Sequence, residues 1–397
     1  MQQRNFAYLC GAPVWWAVLA FLGMPAHAQD VVKVGIILPY SGQFADMATQ
    51  MDHGIKLYVQ RHGDVVAGKK VEFIRKDVGG IAPDVAKRLA QELIIRDKVD
   101  ILAGFIATPN AMAAAEISQQ AKKLMVIMNA GTSIVTTKSP YAVRTSFTIA
   151  QVGDTLGAWA ARRGMKKSYT LVSDYAPGHD VEGWFQRAFK AGGGEVIGTS
   201  RVPVANPDFS PFVQRVKDVN PESIFIWVPG GAQPAALGKA MAERGINPKQ
   251  TMILGTGEVT EESAIKNMGE AAIGIFSAWH YDYNLNSPTN AAFVQAYNAE
   301  YKRNPDFVSV GGYDGMHLIY ESLKKTGGST DTDALIGAAK GMAWESPRGP
   351  ISIDPETRNI VQTIYIREVR NVEGDIRNVT IDKIENVKDP MLSSVKK

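Results

Sequence analysis

Short β-branched runs recur along this chain, each closed by glycine or proline and each followed by a helical stretch. The first series reads VVKVGIIL (Val31–Leu38), VEFIRKD (Val71–Asp77), VDILAG (Val99–Gly104) and LMVIM (Leu124–Met128). A second series reads SYTLVSD (Ser168–Asp174), SIFIWV (Ser223–Val228) and TMILG (Thr251–Gly255). Near-continuous apolar runs of this length suit strands buried on both faces of a parallel sheet. The intervening segments are amphipathic. In PDVAKRLAQELIIRDK, Pro83 stands at the first turn, and Val85, Leu89 and Leu93 form one stripe. Strand and helix alternating in this way predict an α/β chain with doubly wound parallel sheets.

The alternation breaks at three places. SPYAVRTSFTIAQVGD follows the first series, and GIFSAWHYDYNLNSP and WESPRGPISID interrupt the later helices. Read as extended crossings, they divide 397 residues into two lobes made of discontinuous pieces and joined by a three-strand hinge. The expected division assigns residues 29–146 and 280–350 to the first lobe and residues 147–279 and 351–385 to the second. A C-terminal tail is expected at 386–397.

The N-terminus points to export. Arg4 is the sole charge before Asp30, VWWAVLAFLG spans Val14–Gly23, Pro25 breaks the apolar run, and AHA at Ala26–Ala28 has the small residues a signal peptidase reads. Residues 1–28 are therefore expected to be a signal peptide, too short to span a membrane. The one cysteine, Cys10, leaves with it, so the mature chain is expected to lack disulfide and thiol chemistry, which suits a bacterial periplasm. With 43 basic and 40 acidic residues, the chain carries no charge footprint for nucleic acid or an anionic membrane.

Searches for reactive groups come back empty. His53, His62, His179, His280 and His317 are scattered without metal-ligand spacing and are expected to be solvated or capping residues. There is no G-x-S-x-G elbow and no Walker loop, and GTGEVT lacks the third glycine of a dinucleotide fingerprint. No cofactor, metal or catalytic residue is expected. What remains are six loops at the carboxyl ends of strands, where open α/β sheets hold ligands. They are PYSGQF, GFIATP and NAGTS in the first lobe and SDYAPGHD, WVPGGAQP and GTGEV in the second. Asp46 and Pro109 mark helix starts, whose free N–H groups favour an anion such as a carboxylate.

These segments, in this order, resemble the periplasmic solute-binding proteins of ABC importers of the branched-chain amino acid type. The likeness covers residues 31 to about 370. It rests on VKVGIILPYSGQFADM, GFIATPNAMAAAEISQQAKKLMVIMNAGTS, YAVRTSF, and SDYAPGHD with AGGGEVIG. The resemblance implies a type I periplasmic binding protein fold whose two lobes close over a ligand. It implies that Ala130, through its backbone N–H, and Thr132 hold a ligand carboxylate, with Thr108 as a second hydroxyl and Asn129 in the same loop. It also implies that Phe44 packs on the ligand body.

Departures from the family pattern bear on ligand choice. Pro177 and Gly178 stand where an aromatic and a glycine are common, and Gly231 leads into Ala232 and Gln233 rather than an aromatic. Glu258 is the one placed acid for an ammonium group. The aromatic residues of the cleft loops, Phe44, Phe105, Tyr175, Trp227, Tyr281 and Tyr283, suit a flat ring, and no arginine stands in these loops. SAWHYDYNLNSP and IMNAGTS also resemble the branch that binds benzoate-like acids. The expected ligand is an aromatic carboxylate, with a branched-chain or other apolar amino acid as the alternative. The expected role is delivery as a monomer to an inner-membrane permease, with ligand sensing for a membrane receptor as the rival.

Overall fold

The computed structural model describes residues 1–3 and 30–391, so the expected signal segment lies almost wholly outside the described residues. The first sheet holds β1 (Val31–Leu38), β2 (Val65–Val66), β3 (Lys69–Asp77), β4 (Ile101–Gly104), β5 (Leu124–Ile127) and β6 (Ala142–Arg144). Their order across the sheet is β2-β3-β1-β4-β5-β6, parallel except for the short β2–β3 hairpin. Around it lie α1 (Ala45–His62), α2 (Pro83–Ile95) and α3 (Thr108–Ala121). Strand ends differ from the sequence expectation by one to two residues, as fraying ends do.

The chain then leaves this sheet. Thr145–Thr148 lead into α4 (Ile149–Arg162), whose start is a capping box. The Thr148 hydroxyl accepts from Gln151 N–H, and the Gln151 side chain accepts from Thr148 N–H. A second parallel series follows: β7 (Lys167–Ser173), α5 (Ala176–Ala191), β8 (Glu195–Val202), α6 (Ser210–Val219), β9 (Ser223–Trp227), α7 (Gln233–Glu243), β10 (Met252–Thr256), α8 (Glu262–Met268) and β11 (Phe276–Trp279). From β11 the chain returns to the first sheet through α9 (Pro288–Tyr301), α10 (Phe307–Lys325) and α11 (Thr332–Ala339). These pack against α1 and β5. It crosses a third time through β12 (Ala343–Ser346) and β13 (Gly349–Ile353) to β14 (Ile360–Val372) and β15 (Asp375–Val387). The second sheet runs β12-β13-β14-β11-β10-β9-β7-β8, with β15 paired to β14. Two parallel-dominated α/β sheets joined by three crossings are therefore present.

Two features depart from the sequence reading. The long antiparallel β14–β15 hairpin was not expected. Its turn puts Glu373 at φ 55° and Gly374 at φ 93°, the two left-handed positions of a type I′ turn. The expected tail at 386–397 also begins inside β15. Asp389 is buried and accepts from Ser133 Oγ (3.0 Å) and Asn359 Nδ2 (2.8 Å), so the described part of that segment is docked. The solvated reading fits His62 and His179, which are exposed, and not His280, which is buried. His53 stacks on Tyr301 at 3.8 Å, His62 on Tyr58 at 4.1 Å, and His317 on Trp344 at 4.9 Å. His280 is fully buried beside Phe147 at 4.8 Å. All four rings lie against aromatic neighbours, and a spacing search for metal ligands does not reveal that use.

Arg348, between β12 and β13, ties the crossings together. Its Nε donates to Asp314 Oδ2 on α10 (2.9 Å). Its Nη1 donates to Ser146 O (2.5 Å) on the first crossing and to Gln362 Oε1 (2.7 Å) on β14, and its Nη2 donates to Thr145 O. Both Arg348 and Asp314 are almost fully buried. Removing one member of a buried pair leaves the other charge uncompensated. Arg348→Leu should therefore lower the unfolding free energy by about 3–5 kcal/mol in urea titration. A loss below about 1 kcal/mol would show that the network does not carry the crossings.

Candidate functional site

The carboxyl ends of the two parallel series approach each other. Gly231, at φ 94° after β9, lies so near the β1–α1 turn that an added methyl would sit 3.0 Å from Gln43 O. A methyl on Gly230 would meet Met47 Sδ of α1 at 3.3 Å and Glu261 Oε1 at 2.7 Å. Only glycine combines that backbone conformation with that approach.

On the first-sheet side, Thr108 opens α3 and its Oγ1 donates to Thr132 Oγ1 (3.2 Å). The same oxygen accepts from Thr132 N–H only at 3.5 Å. Asn129 donates through Nδ2 to Ile106 O (2.9 Å), while its Oδ1 is buried without a partner among the described residues. Phe44 caps the N-terminus of α1 and is buried. The structure therefore brings Phe44, Thr108, Asn129 and Thr132 to the strand ends.

Two expectations on this side are corrected. The Ala130 N–H is already committed, donating to Phe105 O at 2.9 Å, so it is not free for a ligand. Phe105 turns away. At φ 71° it places its ring in the cluster formed with Ile37, Ala111, Ile127 and Val135, as part of the lobe's core. Its backbone, rather than its ring, shapes the loop.

On the second-sheet side, Tyr175 stands at the start of α5 and packs against Trp227 with ring centroids 5.5 Å apart. Pro177 is buried in the first turn of α5, where its missing N–H costs no hydrogen bond. Gly178 lies against the Ser173 carbonyl, where a side chain would overlap. Glu258 occupies a short turn directly after β10, and its Oε2 accepts from Trp227 Nε1 (2.7 Å) and Thr256 Oγ1 (2.8 Å). Burial pushes the Glu258 carboxyl up to about 7, opposed by those two hydrogen bonds.

Tyr281 is placed differently from the expectation of a ring facing the ligand. It is buried at the second crossing, and its hydroxyl donates to Asn290 Oδ1 (3.0 Å). Around it lies a cavity of about 30 Å³, lined among others by Trp279, Glu261, Asp306, Phe307 and Arg367. That volume suits a water molecule and not a ring.

Sequence reasoning missed this crossing region. Phe147, Trp279, His280 and Phe307 form one aromatic block, with Phe147 and Trp279 at 4.6 Å and Trp279 and Phe307 at 4.9 Å. The block touches both loops. A methyl on Gly131 would meet Phe147 at 2.9 Å, and one on Gly257 would overlap the Trp279 indole. Arg367 enters from β14, outside every loop searched for arginine. It donates to Tyr281 O (3.0 Å), Thr260 Oγ1 (3.1 Å) and Ser277 Oγ (3.2 Å). Glu261, three residues after Glu258, is pushed well above the usual carboxylate range by burial and by the nearby Asp306. Phe147, Trp279 and His280 lay inside quoted crossings, where the aromatic density of SAWHYDY was the signal, and Phe307 lay outside them. Nothing local points to Arg367.

Comparison with known proteins places this architecture. A solute-binding protein of an ABC transporter from Rhodopseudomonas palustris BisB5, in complex with 3,4-dihydroxybenzoic acid, is 52% identical. It superposes with a TM-score of 0.88 over 92% of this chain and 100% of that one. A solute-binding protein from R. palustris HaA2, in complex with p-hydroxybenzoic acid, is 41% identical with a TM-score of 0.89, over 92% and 100% of the two chains. Leu/Ile/Val-binding protein homolog 6 of Brucella melitensis is 42% identical over 382 residues, 95% of this chain and 97% of its own. The family model described as periplasmic binding protein matches residues 31–374. With that match over most of its length and relatives this similar, the chain belongs to the periplasmic binding protein family, with the type I fold expected of it.

Proposed function

We propose that this protein captures an aromatic carboxylate between two lobes in the periplasm and hands it to the permease of an ABC importer, without chemical change to the ligand. One observation carries the reading. Strand ends of the two sheets face each other, with a hydroxyl pair, Thr108 and Thr132, on one side and an aromatic–acid group, Tyr175, Trp227 and Glu258, on the other. The aromatic acids bound by the two similar R. palustris proteins support the ligand class. The lobes of this reading comprise residues 29–146 with 280–350 and residues 147–279 with 351–385, and export follows cleavage after Ala28. The carboxylate is held by the threonine hydroxyls and the Thr132 N–H. Phe44 and Tyr175 flank the ring, and Asn129, Pro177 and Gly231 shape the walls.

The names of the Brucella relatives favour a second reading, a branched-chain amino acid as ligand. A thermal-shift screen separates the two, because a ligand of the native state raises apparent stability by mass action. Benzoates should raise the melting temperature and leucine, isoleucine and valine should not; the reverse pattern would replace the first reading with the second. Turnover of a bound acid would overturn the binding role itself.

Hydrogen bonds to a charged group contribute roughly 1.5–3 kcal/mol. Thr132→Ala should thus weaken binding by about tenfold to a hundredfold in calorimetry, with the melting temperature of the unliganded protein little altered. An unaltered affinity would remove the threonine pair from the site.

The crossings are proposed to act as a hinge. Small-angle scattering should record a smaller radius of gyration with saturating ligand than without. Identical values would argue for a rigid cleft.

A further inference from the structure

Glu258 has one oxygen in use and one to spare. Both of its hydrogen bonds fall on Oε2, from the Trp227 indole at 2.7 Å and the Thr256 hydroxyl at 2.8 Å, and Oε1 accepts none from the described residues. The side chain is only 6% exposed. Two bonds to one oxygen fix its rotamer and direct the other oxygen in a set direction. Its surroundings are aromatic: Tyr175, whose hydroxyl pKa is raised by burial and then by the nearby Glu258 charge, packs at a tilt against Trp227. Oε1 is not among the fully enclosed unpartnered atoms, so it keeps an open approach. A ligand that covers it without a donor leaves a carboxyl oxygen unpaired, so one that brings a donor gains relative to one that does not.

Two donors are chemically available: the ammonium of an amino acid and the hydroxyl of a ring. In an α-amino acid the ammonium and carboxylate stand on one carbon. In a 4-hydroxybenzoate the hydroxyl and carboxylate lie at opposite ends of the ring. Here the hydroxyl pair at Thr108 and Thr132 belongs to one sheet and Glu258 to the other, with an aromatic side chain beside the acid. The hydroxylated benzoates bound by the two similar proteins have the same arrangement.

Resting on the aromatic-carboxylate reading above, we infer that Glu258 selects for a hydroxyl at the far end of the ligand ring, accepting its O–H on Oε1 while Trp227 and Thr256 hold Oε2. The substrate class narrows to 4-hydroxylated benzoates. Trp227 and Thr256 are positioning residues, since each acts through the carboxylate. The carboxyl value of about 7 supports the assignment, because such a group is substantially ionised at neutral pH and can accept.

Calorimetry with benzoate, 4-fluorobenzoate and 4-hydroxybenzoate tests this on the full mature chain. The wild type should bind 4-hydroxybenzoate at least about tenfold more tightly than either analogue, as expected for one hydrogen bond to a charged acceptor. Fluorine occupies the position without donating, so this comparison needs no variant. In Glu258→Gln the amide oxygen can still accept from Trp227 and Thr256, and the ratio of the benzoate and 4-hydroxybenzoate dissociation constants should fall at least fivefold. Equal wild-type affinities for the fluoro and hydroxy acids overturn the inference and leave the aromatic-acid reading standing. So does an equal loss on both ligands in Glu258→Gln with the ratio intact. A wild type that binds none of the three acids removes that reading, and this inference falls with it.

Discussion

The two sheets are held in register by one buried cation. Arg348 reaches Asp314 on α10, the backbone carbonyls of Thr145 and Ser146 on the first crossing, and Gln362 on β14. Gln362 donates in turn to Gln151 Oε1 (3.1 Å), and Gln151 donates to Ile360 O and Val387 O. The network thus runs from a helix of the first lobe, through two crossings, into the second sheet and its C-terminal hairpin. Such an interaction is weak as net stabilisation, because desolvating the ions offsets most of their attraction. Its value is geometric. A guanidinium that must satisfy several acceptors at fixed angles leaves few alternative paths for the chain between the lobes.

The second crossing follows a different rule. Its ion pair is long, with Arg367 3.8 Å from the buried Asp282, and Phe147, Trp279, His280 and Phe307 fill the adjoining space by ring contact. Burial holds His280 neutral, well below the usual imidazole range, beside two arginines, Arg348 and Arg367. An imidazole that cannot take up a proton there behaves as a polarisable aromatic wedge. The floor between the two strand-end loops is therefore rigid on one side by hydrogen bonding and on the other by packing. That arrangement suits a joint that bends at a few residues and keeps its ends in place.

Much of this was legible in the sequence, for a physical reason. Strands buried on both faces over most of their length, such as VVKVGIIL and SIFIW, must be largely apolar, and the turn residues that follow them mark the strand-end loops. Thr108, Thr132, Tyr175 and Glu258 sit in those loops; the family resemblance pointed to the two threonines, and loop position pointed to the other two. The failures share a cause as well. Phe105 and Ala130 stand in the correct loop, and a left-handed backbone at Phe105 turns one ring inward and occupies one N–H. Local composition carries no record of that dihedral angle. Arg367 on β14 lies 107 residues from Thr260, and Arg348, in the turn after β12, lies 203 from Thr145, so no window of sequence joins them to those groups.

Glu258 and Glu261 condense the same lesson into one turn. They lie three residues apart after β10, both buried; sequence position singles out Glu258, but says nothing of what either carboxyl meets. The structure separates them by their partners. Glu258 is held by an indole and a hydroxyl and carries a spare oxygen beside aromatic rings. Glu261 faces Gly230 and the Asp306 carboxyl, whose own value burial raises to about 6. Two buried carboxyls brought close together resist a second negative charge, so the pair favours retaining a proton. One acid is therefore placed to accept a donor, and the other is placed against a second carboxyl. Burial alone gives neither role; the neighbours that remain in reach after burial decide both.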